Sequence, residues 1–345
     1  MKPAFTDLIG NQRLKERLCD DICSDRFGHA YILEGPAGFG KHSFALRIAA
    51  ALACRHRAED GYPLPCGECP ACRKILSGNS PDVITVGRGD KATLGVDAIR
   101  AMHVDVLIAP NDQEDKVYII EDAQTMTVQA QNAFLLILEE PPAYVRFLLL
   151  TDGSAPLLET VRSRAQTQRI EPVPEEELAE WLVRTEPAAK ILRNGNPAEF
   201  GELIAAAGGS VGRAKDLLDP KKRRSILDER ETARAFAELA ASHRGSAAVV
   251  SFLADFGQKR DEAISRLSAT LSCVRDLLLL KQTENAPLCF FHDREEACNL
   301  AYRFTSPELL RYAGGISEAI ESLRRNANLR LTLVQFAMQT GLLPR

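Results

Sequence analysis

The sequence predicts an α/β fold on a parallel sheet, followed by two helical segments, and three observations carry that expectation. Residues 29–48 place an apolar strand, a glycine turn and a helix start in direct succession. Residues 117–120 and 147–150 are continuous apolar runs of strand length, the pattern of strands buried on both faces of a parallel sheet. Beyond Pro172-Val173-Pro174, strand signals thin out and apolar residues recur at helical spacing.

In chain order, Leu14, Leu18 and Ile22 repeat as one face of an amphipathic helix, and residues 30–33 are the first strand. The turn that follows is Gly35-Pro36-Ala37-Gly38-Phe39-Gly40-Lys41-His42-Ser43, with Phe44, Ile48 and Leu52 at helical spacing after it. Gly35, Gly40 and Lys41 match G-x-x-x-x-G-K, a loop whose backbone N–H groups surround phosphate oxygens at a helix N-terminus. Lys41 then belongs against the β- and γ-phosphates of ATP, or the β-phosphate of ADP; a glycine turn without a ligand is the alternative. The Ser or Thr hydroxyl that binds Mg²⁺ after the lysine is replaced by His42. Ser43 is no substitute, because one residue along a helix rotates a side chain by about 100°.

Cys54 follows that helix, and Cys66, Cys69 and Cys72 form C-x-x-C-x-x-C. Four thiolates so spaced make the closed tetrahedral shell of a structural Zn²⁺, spanning residues 54–72. A disulfide pair or free thiols are the alternatives, and a reducing compartment disfavours the former. Cys19, Cys23, Cys273, Cys289 and Cys298 sit in helical patterns and are expected as small core residues.

Residues 79–82 form a turn and 83–86 a second strand; Val96, Ile99, Met102 and Val106 mark a helix, with Pro110-Asn111-Asp112 as its stop. The strand at 117–120 ends in Glu121-Asp122, where P-loop NTPases hold Mg²⁺ with one acid and orient water with a second. The usual order is Asp-Glu. Reversal alters each reach by a methylene, a misplacement that can cost about 10²-fold in rate; a solvated acidic strand end is the other reading. Ala130, Ala133, Phe134, Ile137 and Leu138 line a helix that Glu139-Glu140-Pro141-Pro142 stops. The strand at 146–150 ends at Thr151, a polar tip within reach of a γ-phosphate or its water. After a short helix at 157–161, Arg164 is either a surface charge or a finger for a neighbouring subunit's nucleotide. Residues 167–170 are the last strand.

The expected domains are 1–171, carrying the nucleotide loop and the cysteine module; 172–219, helical; and 220–345, all helical. The basic run Lys221-Lys222-Arg223-Arg224 reads as a solvated helix start more readily than as a nucleic-acid patch. With 345 residues, a net charge of −4 and 45% hydrophobic residues, the chain has no global basic footprint for DNA. No apolar run approaches the roughly 18 residues of a membrane span, and the first residues lack the apolar core of a signal peptide, so a cytoplasmic location is expected.

Phe5, Gly10, His29-Ala30-Tyr31, the loop from 35 to 41, the four clustered cysteines, Pro81-Asp82, Lys116-Val117, Asn132-Ala133, Leu138-Glu139-Glu140-Pro141-Pro142, Thr151, Ser163-Arg164 and Asn326-Ala327-Asn328 together resemble the bacterial clamp-loader ATPase family, nearly end to end. The most specific part is the run from Asn132 to Pro142 with the cysteine insertion after the P-loop helix. The resemblance implies an α/β P-loop AAA+ module on a five-stranded parallel sheet, with a zinc insertion, a small helical lid and an all-α C-terminal collar, through which five subunits form an open ring that loads a sliding clamp onto primed DNA. It also implies Lys41 as the P-loop lysine and Thr151 as the sensor-1 residue. Ser163-Arg164 would be the start of a Ser-Arg-Cys motif whose arginine acts on the adjacent subunit's ATP, with Ala165 in place of the cysteine. A lid arginine of motor subunits follows Gly-Ser-x; here that position is Gly212, with Arg213 displaced by one. His42, Glu121-Asp122 and Gly212 depart from the motor pattern and disfavour productive Mg²⁺-assisted hydrolysis, whereas Arg164 is retained. That combination fits a subunit that lends its finger better than a motor. The implied partners are the gamma or tau motor, delta, the sliding clamp and primer-template DNA, with no membrane. A motor subunit, or a zinc-containing P-loop kinase for a small molecule, are the other readings.

Overall fold

The computed structural model describes residues 2–89, 91–242, 245–254, 256, 259–283, 288, 290–291, 293–325 and 327–343. Cys289 and Asn326, both singled out above, lie outside the described residues. The chain divides into two compact units: one runs up to Glu177 and includes Ser210–Gly212; the other comprises Leu178–Gly209 and the chain from Arg213 onward.

The first unit runs α1 (Gln12–Cys23), β1 (Ala30–Glu34), α2 (Lys41–Leu52), α3 (Pro70–Leu76), β2 (Val83–Val86), α4 (Val96–Val106), β3 (Lys116–Ile120), α5 (Val128–Glu139), β4 (Val145–Thr151), α6 (Glu159–Arg162) and β5 (Gln166–Arg169), with a 3-10 turn at Ala123–Thr125. Its five strands form one parallel sheet in the order β2-β3-β4-β1-β5. Strand side chains alternate between faces, which explains the unbroken apolar runs. Tyr31, Leu33, Val117, Ile119, Leu148 and Leu150 join a core with Leu18 of α1, Ile48 of α2 and Ile75 of α3. Their neighbours Ala30, Ile32, Tyr118, Ile120, Phe147 and Leu149 join a second core with Ile99 of α4, Phe134 of α5 and Val161 of α6. Phe147 stacks on Tyr118 at 5.6 Å between centroids and meets Phe134 edge-on at 5.2 Å. At the sheet edge β5 is polar, with Gln168 its single buried residue, which guards against pairing with another chain.

Two expectations need correction. Residues 110–112 do not end α4, which stops at Val106. The buried Lys116 ammonium donates to the carbonyls of Asp105 (2.9 Å) and Ile108 (3.3 Å), satisfying acceptors at the helix end. Residues 111–113 are instead pinned by the buried carboxylate of Asp82, which accepts from the backbone N–H of Asn111, Asp112 and Gln113 at 2.7, 2.7 and 2.9 Å. The second correction concerns the scattered cysteines. Cys19 and Cys273 are buried, but Cys23 is exposed at the last turn of α1, donating to the Arg57 carbonyl at 3.3 Å, and Cys298 is half-buried.

The second unit is helical. It holds α7 from its fourth residue (whole helix Glu175–Thr185), α8 (Pro187–Gly195), α9 (Pro197–Ala207), α10 from its third residue (whole helix Val211–Leu218), α11 (Pro220–Ala241), α12 (Ser246–Ala254), α13 (Arg260–Gln282), α14 (Arg294–Tyr302), α15 (Ser306–Arg324) and α16 (Leu329–Thr340). The basic run opens α11, where Asp219 caps the helix, Lys222 pairs with Asp216 and Arg223 with Glu199, as a solvated helix start requires. Phe236 of α11 lies against Phe252, Tyr312 and Phe336 in the core that unites α11 to α16. Among the described residues no helix is long and apolar enough to cross a membrane.

Candidate functional site

The glycine loop leaves the C-terminal end of β1, where ligands bind in open α/β sheets. Gly38 and Gly40 both adopt φ of +83°, a left-handed conformation that a side chain would strain, and Gly40 is the N-cap of α2. Ala37 and Gly38 are exposed, while Phe39 anchors the loop in the first core. Lys41 points back along the loop: its ammonium donates to the Gly35 carbonyl, to the Pro36 carbonyl at 3.0 Å and to the Asp152 carboxylate at 2.6 Å. The Gly38 carbonyl accepts from Ser210 Oγ at 3.0 Å and from the Gly212 N–H at 2.9 Å. A Cβ on Gly212 would stand 3.1 Å from both Gly38 Cα and O, so this approach needs glycine at 212. Arg213, one residue on, belongs to the second unit.

The two acids after β3 diverge. Glu121 extends toward α2 and meets His42, Oε1 to Nδ1 at 2.9 Å. Asp122, at φ +48°, turns away to Arg88 at 3.0 Å. The order Glu-Asp thus places two carboxylates on two different partners, and His42 and Glu121 are neighbours at the place where a P-loop protein puts its metal-binding hydroxyl and acid. Thr151 is fully buried at the end of β4, and its hydroxyl is engaged by its own turn: it donates to the Gly153 carbonyl at 2.7 Å and accepts from the Gly153 N–H at 3.2 Å. Ser43 is half-buried in the first turn of α2.

Arg164 lies just past α6 with its side chain 38% exposed, pairing with Glu139 at 2.9 Å and donating to the Thr160 carbonyl at 3.1 Å. It lines a shallow pocket of about 470 Å³ together with His29, Leu138, Glu139, Glu140 and Ser163. His29 Nε2 is buried there without a hydrogen bond, and burial, then the nearby Arg146, lowers the imidazole pKa, favouring the neutral ring.

Cys54, Cys66, Cys69 and Cys72 are all buried, with their sulfurs within 4.8 Å of one another. Cys66 Sγ is 3.9 Å from Cys72 Sγ, close to the roughly 3.8 Å edge of a tetrahedron with Zn–S bonds of about 2.3 Å. The Cys69 N–H points at Cys66 Sγ (3.3 Å) and the Cys72 N–H at Cys69 Sγ (3.4 Å), dipoles that favour thiolates. The Cys72 hydrogen bond lowers the Cys54 thiol to about 5, against the upward pull of burial, while Cys72 itself is pushed up. A ready thiolate in a closed set of sulfurs suits Zn²⁺ held structurally, with no open position for chemistry.

The sequence reading missed Asp152 and Arg88, the partners of Lys41 and Asp122, and gave His29 no role. A carboxylate directly after Thr151 was visible, but its meaning depends on β4 lying beside β1, with Thr151 level with Glu34.

A family model described as DNA polymerase III, delta subunit matches residues 10–174. The chain is 37% identical over 192 residues to DNA polymerase III subunit delta' of Pseudomonas aeruginosa, covering 55% of each chain. It is 33% identical over 208 residues to subunit delta' of Bacillus subtilis, covering 59% of this chain and 62% of that one. Against subunit tau of Bacillus subtilis it is 32% identical over 215 residues, 62% of this chain and 37% of the relative. In each case the match spans less than two thirds of the relative's length.

Proposed function

We propose that this chain, whose residues 10–174 match the family model described as DNA polymerase III, delta subunit, is the delta-prime subunit of the clamp loader. In this reading it is an AAA+ subunit of the cytoplasmic replication machinery. It takes its place beside gamma or tau and delta in a five-membered ring that loads the sliding clamp onto primer-template DNA. Residues 172–219 serve as the lid and 220–345 as the collar through which the ring assembles.

The observation that carries the reading is the pairing of His42 with Glu121 at 2.9 Å. A motor needs an oxygen ligand and an acid free to hold Mg²⁺ at this place; here an imidazole engages the acid, and Asp122 is committed to Arg88. Own hydrolysis is therefore disfavoured, whether or not ATP or ADP binds residues 35–43. Arg164 contributes in trans. Its guanidinium, half out in solvent beside an open pocket, is a fixed cation that a neighbour's transferring phosphoryl group can use as its charge grows. Thr160 and Glu139 aim it. The four-cysteine cluster holds Zn²⁺, which supplies a crosslink: with Cys72 Sγ against the Ala50 carbonyl of α2, it ties the residues 54–72 insertion to the P-loop helix.

The test is reconstitution with the partner subunits. Arg164→Ala should leave ring assembly intact and cut the DNA-stimulated ATPase of the ring by about 10³-fold at the active site it serves; unchanged turnover excludes the finger. The second reading, a gamma or tau motor, is favoured by the intact run from Gly35 to Lys41 and by the tau relative. ATP hydrolysis by the purified chain that disappears in Lys41→Ala would establish it.

A further inference from the structure

We propose that Asp152 is a built-in competitor for nucleotide phosphate: its carboxylate holds the Lys41 ammonium in place of a phosphate oxygen and so weakens the affinity of this chain for ATP. The inference rests on the reading of residues 35–41 as a phosphate-binding loop.

An ammonium has three N–H donors and accepts nothing. Lys41 has three acceptors: the carbonyls of Gly35 and Pro36 and the carboxylate of Asp152. Its hydrogen-bonding capacity is full, and with its side chain 12% exposed it has little water to draw on. Two of the acceptors are loop backbone and go wherever the loop goes. The third is a negative charge delivered from a different strand.

That delivery is built into the fold. Thr151 and Glu34 end β4 and β1 at the same level, and the Gly35 N–H donates to the Thr151 carbonyl at 3.1 Å, so Asp152 begins beside the first residue of the loop. The Thr151 hydroxyl closes the turn onto Gly153, at 2.7 Å to its carbonyl, and the Asp152 N–H reaches Gln124 Oε1 at 3.4 Å. The residue assigned by resemblance to sensing a phosphate is thus engaged in positioning the carboxylate that stands in for one. A carboxylate and a phosphate oxygen ask the same thing of one ammonium. An incoming triphosphate must displace Asp152 and then lie next to its unpaired charge, and the lost pair and the like-charge repulsion both raise its Kd.

The experiment is a titration of the full chain with a fluorescent ATP analogue, with Mg²⁺ and separately with EDTA, comparing wild type, D152N, D152A and D152N/K41A. Asn keeps the shape and removes the charge; Ala removes both, and melting curves check that each variant is folded. D152N and D152A should each tighten binding by about tenfold, in EDTA as well as in Mg²⁺, and the gain should vanish in D152N/K41A. Affinities equal to wild type in both single variants overturn the proposal, as does a gain that survives loss of Lys41. Ring assembly by the wild-type chain tests the clamp-loader reading separately. A chain that assembles but gains no affinity in the variants refutes the competitor alone, and one that gains affinity but never assembles refutes the subunit reading alone.

Discussion

Removing zinc is the perturbation with the largest expected effect. The four cysteines are members of the same buried cluster as Ile48 of α2, Ile75 of α3 and Leu148 of β4, so a metal bound by them would crosslink the core of the first unit rather than a dangling loop. A metal that binds only the folded state stabilises it by RT ln(1 + [Zn²⁺]/Kd), about 4 kcal/mol when free Zn²⁺ exceeds Kd by about 10³. For a unit of this size, about 2–4 °C of Tm accompany each kcal/mol, so a strong chelator should lower the melting temperature of the first unit by about 8–16 °C. Calorimetry with and without chelator reads this shift, elemental analysis reads the metal, and Cys72→Ser should reproduce the loss. If the cysteines were only small buried hydrophobes, chelation would leave Tm where it was and the purified chain would contain no zinc; that pair of results refutes the reasoning.

Gly212→Ala forces a Cβ to 3.1 Å from Gly38 Cα and O. Relief of the overpacking should cost about 1 kcal/mol and speed amide hydrogen exchange at Gly38 and Gly40, measured by mass spectrometry; unchanged exchange would mean that Ser210–Gly212 does not hold the loop. Tyr118→Phe deletes the 2.6 Å hydrogen bond to Asp105 and should destabilise by about 1 kcal/mol at neutral pH. Burial pulls the Asp105 carboxyl upward, but Tyr118 and Lys116 outweigh it and hold it below the ordinary 3.8. The stability this contributes is present above pH 3.8 and is lost as pH falls through the lower folded value, so acid denaturation of the variant should show a shallower dependence there.

The sequence by itself determined the elements and the local chemistry. Continuous apolar runs marked β3 and β4 because both faces of each are covered, and Gly35, Gly40 and Lys41 marked the loop, where Gly40 takes a φ of +83° that a side chain would strain. The C-x-x-C-x-x-C spacing brought three thiols together because such short segments have little freedom to separate them. What only the tertiary structure decided is which charges meet. Lys41 and Asp152 are 111 residues apart, and they pair because β4 enters the sheet between β3 and β1 and brings its end level with the glycine loop. The same strand order, together with the turn at Asp122, gives Glu121 to His42 and Asp122 to Arg88. Local sequence fixes where a chain turns within a few residues, whereas ion pairing across a sheet depends on strand order and register, which no short window of sequence contains.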